Sequence, residues 1–167
     1  MVTNEELAFA DQVGRFGARH WSLPPMTGRV LGWLMICDPP EQTAAEVADA
    51  LKASRSAIST AVTTLENVCL VDRSRAAGER VDRIRMHPLA FTRSLQAPDE
   101  YVELAALAEK AMATFGNDPP SRWARLAETG AFAAFLSDRM PKLKAEWEAH
   151  RDAMRASGEL PHPGAIS

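Results

Sequence analysis

Between Thr43 and His87 the chain gathers side chains suited to holding an anionic polymer. In LVDRSRAAGERVDRIRMHP, Leu70 to Pro88, arginines fall on alternate residues: Arg73 and Arg75, then Arg83 and Arg85, with Arg80 beside the turn Ala77, Gly78 and Glu79. Period-two alternation marks a β-hairpin. Strict alternation predicts these four arginines on one face and Asp72, Ser74, Ile84 and Met86 on the other. Four like charges on one ribbon face repel one another, so a polyanion is their natural complement. Just upstream, Ser54, Arg55, Ser56, Ser59, Thr60 and Thr63 offer five hydroxyls and a guanidinium, groups that bond phosphate oxygens and base edges. Duplex DNA is the partner these types imply. Arg80, at the tip, is placed to enter a minor groove. Arg73, Arg75, Arg83 and Arg85 hold phosphates or pair with Asp72, Glu79 and Asp82.

Other chemistry finds less support. His20, His87, His150 and His162 are scattered, no glycine-rich phosphate loop occurs, and no nucleophile stands at a strand-to-helix turn, so the residues do not read as an enzyme. No cofactor or metal is expected. Cys37 and Cys69 each sit inside an apolar helical pattern without a second Cys or His at ligand spacing; they read as buried reduced thiols, with redox sensing as the alternative. Trp21, Trp33 and Trp123 could wall a small-molecule pocket, against which ordinary core packing competes.

Charge is segregated along the 167 residues. Lys52 to Arg93 carries eight basic and four acidic residues, a net +4, which leaves −7 for the remainder of a chain whose total is −3. A basic island in an acidic chain fits contact with nucleic acid through one patch. No apolar run approaches the roughly 18 residues of a membrane span, and MVTNEELAF lacks the basic start of a secretory signal; a cytoplasmic protein is expected.

These residues need elements to position them. Thr3 and Glu6 have capping-box spacing and open a helix over Asn4 to His20, with Phe9, Val13, Phe16 and His20 as its apolar stripe. That stripe should pack on the C-terminal helices or on a second protomer. Thr27 is placed to cap a second helix with Val30, Leu31, Leu34 and Met35 on its apolar face and Trp33 on another. Thr43 and Glu46 form a second capping box, and Ala53 and Ser54 supply the turn into a helix with Ile58, Val62, Leu65 and Cys69 inward. Beyond a linker over Ser94 to Asp99, Tyr101, Leu104, Ala108, Ala111 and Phe115 predict a long helix. Ser121 is placed to cap the next, and Phe132, Leu136, Met140, Leu143, Trp147 and Met154 continue a stripe in which Pro141 implies a kink or a fresh first turn. The expected division is an N-terminal helix over 1–25, a winged helix-turn-helix over 26–93, a C-terminal helical region over 94–157 and a flexible tail over 158–167. The fold class is mainly α with a small β-hairpin wing.

Thr43 to Pro88, with the lead-in FGARHWSLPPMTGRVLGWLMICDPP and the closing MPKLKAEWEAHRDAM, resembles the MarR-like winged helix-turn-helix regulators, and within them the GbsR branch. The resemblance spans about 150 residues, with its specific part in the central segment. It implies a homodimeric transcription factor, usually a repressor, whose terminal helices interlock across a two-fold axis and serve as the dimerisation elements over 1–25 and 94–157. A small-molecule effector acting between the winged lobes and the dimer helices is a further expected partner, and a membrane is not. By position the resemblance assigns Arg55, Ser56, Ser59, Thr60 and Thr63 to the recognition helix and Arg80 and Arg83 to the wing. The competing reading is a winged helix used only for protein contacts, its arginines docking an acidic partner.

Overall fold

The computed structural model describes residues 2–75, 81–92, 95 and 98–161. The chain divides into two compact units, Met1–Phe91 and Thr92–Ser167. The expected hairpin tip, Arg80 included, lies outside the described residues, as do Arg93, Ser94 and the last six residues with His162.

The first unit opens with α1, Asn4–His20, capped by Thr3, whose hydroxyl accepts from Glu6 N–H while the Glu6 carboxylate accepts from Thr3 N–H. Its buried face is Ala10, Gly14 and Gly17, which corrects the expected stripe: Phe16 is 46% exposed and His20 is exposed. The cause is backbone-to-backbone packing on α2, Pro25–Leu34. A Cβ added to Gly28 of α2 would lie 2.8 Å from the Gly14 Cα, so bare backbone on both helices sets their separation. Asp11 of α1 and Arg29 of α2 form an ion pair beside this crossing.

Pro24 is the N-cap of α2 and Pro25 its first residue, where a missing N–H costs nothing. Thr27 therefore sits inside the helix, 2% exposed, and does not cap it. This helix runs through the core, with Val30, Leu31, Gly32, Trp33 and Leu34 all buried. Trp33, expected on another face, is buried too, and Met35, expected inward, lies past the helix end and is exposed.

Thr43 and Glu46 cap α3, Ala44–Leu51, with both reciprocal bonds present. The turn into α4, Arg55–Asn67, uses Lys52 in the left-handed region at φ 53° and Ser54 as N-cap, its hydroxyl accepting from Ala57 N–H at 3.2 Å. Ile58, Val62 and Leu65 are fully buried, as their spacing predicts. Cys69 differs: it lies beyond the C-cap Val68 at φ 54°, half-buried, outside the helical pattern.

The hairpin forms from β2, Val71–Ser74, and β3, Arg83–Met86. A strand unforeseen in the sequence, β1 at Gln42–Thr43, adds to β3 and completes a three-stranded antiparallel sheet in the order β1-β3-β2. The fold is thus mainly helical with a small antiparallel sheet, a winged helix-turn-helix.

The second unit pairs α5, Pro98–Phe115, with α6, Pro120–Ser157. Ala108 and Ala133 are buried, and a Cβ on Gly130 would meet the Ala108 Cβ at 2.7 Å. Pro119 is the N-cap of α6 and Pro120 its first residue, so Ser121 lies within the helix and caps nothing. A single helix of 38 residues continues through Pro141. Pro141 withholds one backbone donor, and the turns on both sides carry the helix past it. No helix among the described residues is long and apolar enough to cross a membrane.

Candidate nucleic-acid interface

The outward side of α4 is built by the burial of its other side. With Ile58, Ala61, Val62 and Leu65 in the core, Arg55, Ser56, Ser59, Thr60 and Thr63 are all exposed. Its first turn holds no acidic residue. Ser54 caps the helix and stands 3.1 Å from the Ser56 hydroxyl. The helix N-terminus, with its partly unsatisfied N–H groups, therefore carries two hydroxyls and the Arg55 guanidinium, a surface of donors for phosphate and base edges. The structure places all six α4 candidates at one end and along one side of this helix.

The wing is arranged otherwise than expected. Register pairs Asp72 with Arg85, Arg73 with Ile84 and Ser74 with Arg83. Directly opposed residues share a face, so Arg73 lies on the face of Ile84 and Gln42, while Arg83 and Arg85 lie with Asp72, Ser74 and Thr43 on the other. The single four-arginine face is overturned. Alternation within a strand fixes which residues share a side, but the relation between strands depends on tip length, and one residue of slip inverts it.

Acids also neutralise much of the wing. Arg73 donates from Nε and Nη2 to both oxygens of Glu66 on α4, at 3.1 and 2.7 Å. Arg75 donates to Asp82 at 2.7 Å. Arg85 donates to Glu41 at 3.1 Å and lies 3.7 Å from Asp72. Pairing with Asp82 and Asp72 was foreseen; Glu66 and Glu41 were not, because no local periodicity links them to the hairpin. The hydrogen bond to Glu66 holds the Arg73 guanidinium above its usual range, and that to Asp82 does the same for Arg75. Asp82 is correspondingly held below the usual carboxylate range by Arg75. Glu46 is held low by the backbone N–H and hydroxyl of Thr43, with Arg83 adding a smaller pull. The single-point exposed pairs, Arg75 with Asp82 and Arg85 with Glu41, are weak and open to competition from phosphate.

Each tryptophan candidate has a local role. Trp33 is 5% exposed and donates its indole N–H to Gln42 Oε1 at 2.9 Å, tying α2 to β1. Trp21 packs edge-on against Phe16, ring centroids 4.9 Å apart, and 6.0 Å from Phe91. Trp123 donates to the Asp118 carbonyl at 2.9 Å. His87 accepts the Leu89 N–H on Nδ1 at 3.0 Å. Among the described residues no group of three or more His, Cys, Asp or Glu is placed to hold a metal.

Two helices joined by a tight turn, the second presenting hydroxyls and the pair followed by an antiparallel wing, define a winged helix-turn-helix DNA-binding protein. Comparison with known proteins gives the family. The chain is 34% identical over 133 residues to the HTH-type transcriptional regulator MmpR5 of Mycobacterium tuberculosis (strain ATCC 25618 / H37Rv), covering 79% of this chain and 80% of that one. The crystal structure of a transcriptional regulator matches with a TM-score of 0.72 and 31% identity, over 87% of this chain and 99% of that one. The family model described as MmpR5-like MarR family transcriptional regulator matches residues 90–150. The chain belongs to the MarR family of winged-helix transcriptional regulators, among its MmpR5-like members. That family match falls on α5 and much of α6, not on the central Thr43–Pro88 segment expected to be the specific part.

Proposed function

We propose that the protein is a homodimeric repressor that places two α4 helices in successive major grooves of a palindromic operator, about 10 to 10.5 base pairs apart. The single observation that carries this reading is the exposed face of α4, where Arg55, Ser56, Ser59, Thr60 and Thr63 stand behind a Ser54 cap with no acid in the first turn. On this reading Arg55 and Thr60 read base edges, while Arg75, Arg80, Arg83 and Arg85 contact phosphates or a minor groove. Arg73 serves the same interface differently, by holding the wing to α4 through Glu66 rather than by meeting phosphates. The terminal helices supply the dimer contact, and repression acts by occluding transcription in the cytoplasm.

A small-molecule effector that changes the spacing of the two recognition helices would release the operator, because helices out of step with the groove repeat cannot both dock. Trp21 and Trp33, within the first unit, and Trp123, within the second, are each an aromatic candidate for contact with it. Placement in the GbsR branch rests on the Thr43–Pro88 segment with its lead-in and closing stretches.

Gel shifts against fragments selected from the protein's own genome, with sedimentation at micromolar concentration, test the proposal. A dimer retaining one fragment far above bulk DNA is expected. A monomer, or a protein that retains no duplex, overturns it.

A further inference from the structure

Four charged side chains alternate in sign from α4 to the margin of the wing. Glu66 on α4 is held at two points by Arg73 of β2, at 2.7 and 3.1 Å. Nη1 of that guanidinium stands 4.0 Å from Asp82, and Asp82 accepts from Arg75 at 2.7 Å. The register makes this chain possible: Arg73 shares the core-side face of the sheet with Ile84 and so comes within reach of α4. With all four arginines on the outer face, Arg73 would point away from this side of the sheet and from Glu66.

We infer that Glu66 and Arg73 are positioning residues for DNA recognition, locking the wing to the recognition helix so that both meet the duplex in one fixed register. The inference rests on the DNA-binding reading. A two-point guanidinium–carboxylate bond fixes orientation as well as distance, which a lysine ammonium at the same place does not. Glu66 also cancels the charge of Arg73 within the protein, so this arginine adds little to sequence-blind attraction for phosphates. Both effects favour discrimination, the ratio of specific to non-specific affinity, over raw affinity.

The test uses the full chain and two duplexes: the genomic fragment the wild type retains most tightly, and a shuffled duplex of the same composition. Arg73→Lys keeps the charge and removes the fork. It is expected to lower the affinity ratio about fivefold, the size of a modest partly exposed interaction, while leaving the shuffled duplex bound as before. Glu66→Gln is expected to tighten the shuffled duplex and steepen its salt dependence by up to about one phosphate's worth, and again to lower the ratio. Thermal melting confirms that each variant is folded; should Arg73→Lys not fold, Glu66→Gln decides alone. An unchanged ratio in the folded variants, or an equal gain on both duplexes in Glu66→Gln, overturns the positioning role and leaves DNA binding intact. A wild type that binds neither duplex overturns the underlying reading instead.

Discussion

Arg73 stands directly opposite Ile84 in the β2–β3 pair, not opposite Ser74's partner Arg83 or Asp72's partner Arg85. The wing therefore has two unlike faces. One turns Arg73 toward α4 and its Glu66, and the other carries Arg83 and Arg85 among Asp72, Ser74 and Thr43. On the proposed reading the surface offered to DNA is led by α4, with the wing as a partly neutralised flank.

Base reading by α4 predicts a sharp, local penalty. Arg55→Ala or Thr60→Ala should cost about 1 to 3 kcal/mol at one base position and little elsewhere, provided the residue meets a base edge. Affinities for a set of singly substituted operators measure this. An even loss over all sequences would assign the residue to the phosphates.

Phosphate binding by the wing predicts the opposite pattern. Arg83→Ala should weaken every duplex alike and flatten the salt dependence by about one unit for each phosphate the variant no longer neutralises. Arg75→Ala should flatten it by less than one full unit, because Asp82 already engages that guanidinium. Binding measured at several salt concentrations checks both variants.

The α1–α2 crossing predicts intolerance of a single methyl group. Gly28→Ala places a Cβ 2.8 Å from the Gly14 Cα and 3.1 Å from the Val13 carbonyl oxygen, backbone atoms that move only with α1. Overpacking of this kind costs about 1 to 3 kcal/mol, more than the roughly 0.5 to 1 kcal/mol that alanine gains over glycine within a helix. A lowered melting temperature is expected; an unchanged or raised one would show that the crossing is loose.

How much of this was legible in sequence varied with the physics of each element. The helix Asn4–His20 and both capping boxes were readable because a cap is a reciprocal bond between residues three apart. The inward residues Ile58, Val62 and Leu65 were readable for a like reason, since helical period is local. The buried face of α1 was not, because Gly14 and Gly17 carry no hydrophobic signal and act through the absence of a side chain. Two-residue β1 is too short to alternate, and the alternation within β2 and within β3 does not encode the register of one on the other. The six outward residues of α4 were legible as a polar helix face, whereas Glu41 and Glu66 enter the site only through tertiary contact.

Burial pushes the Cys37 thiol up to about 11, with the neighbouring Asp38 charge adding to the effect and a backbone hydrogen bond opposing it. The folded value lies above that of an unfolded thiol, about 8.5. Its contribution to stability is therefore complete below about pH 8.5 and declines as pH rises toward 11. Native protein at pH 8 should be alkylated at half-buried Cys69 before buried Cys37. Rapid labelling of Cys37 in the folded state would contradict this.

The most direct test of the α4-led surface is the affinity of the full chain for its best genomic duplex between about 50 and 200 mM salt, the range over which counterion release shows. The account predicts that log affinity falls linearly with log salt concentration, with a slope of several units, and that the duplex outcompetes bulk DNA throughout. A slope near zero, or no retention of any duplex, would contradict it.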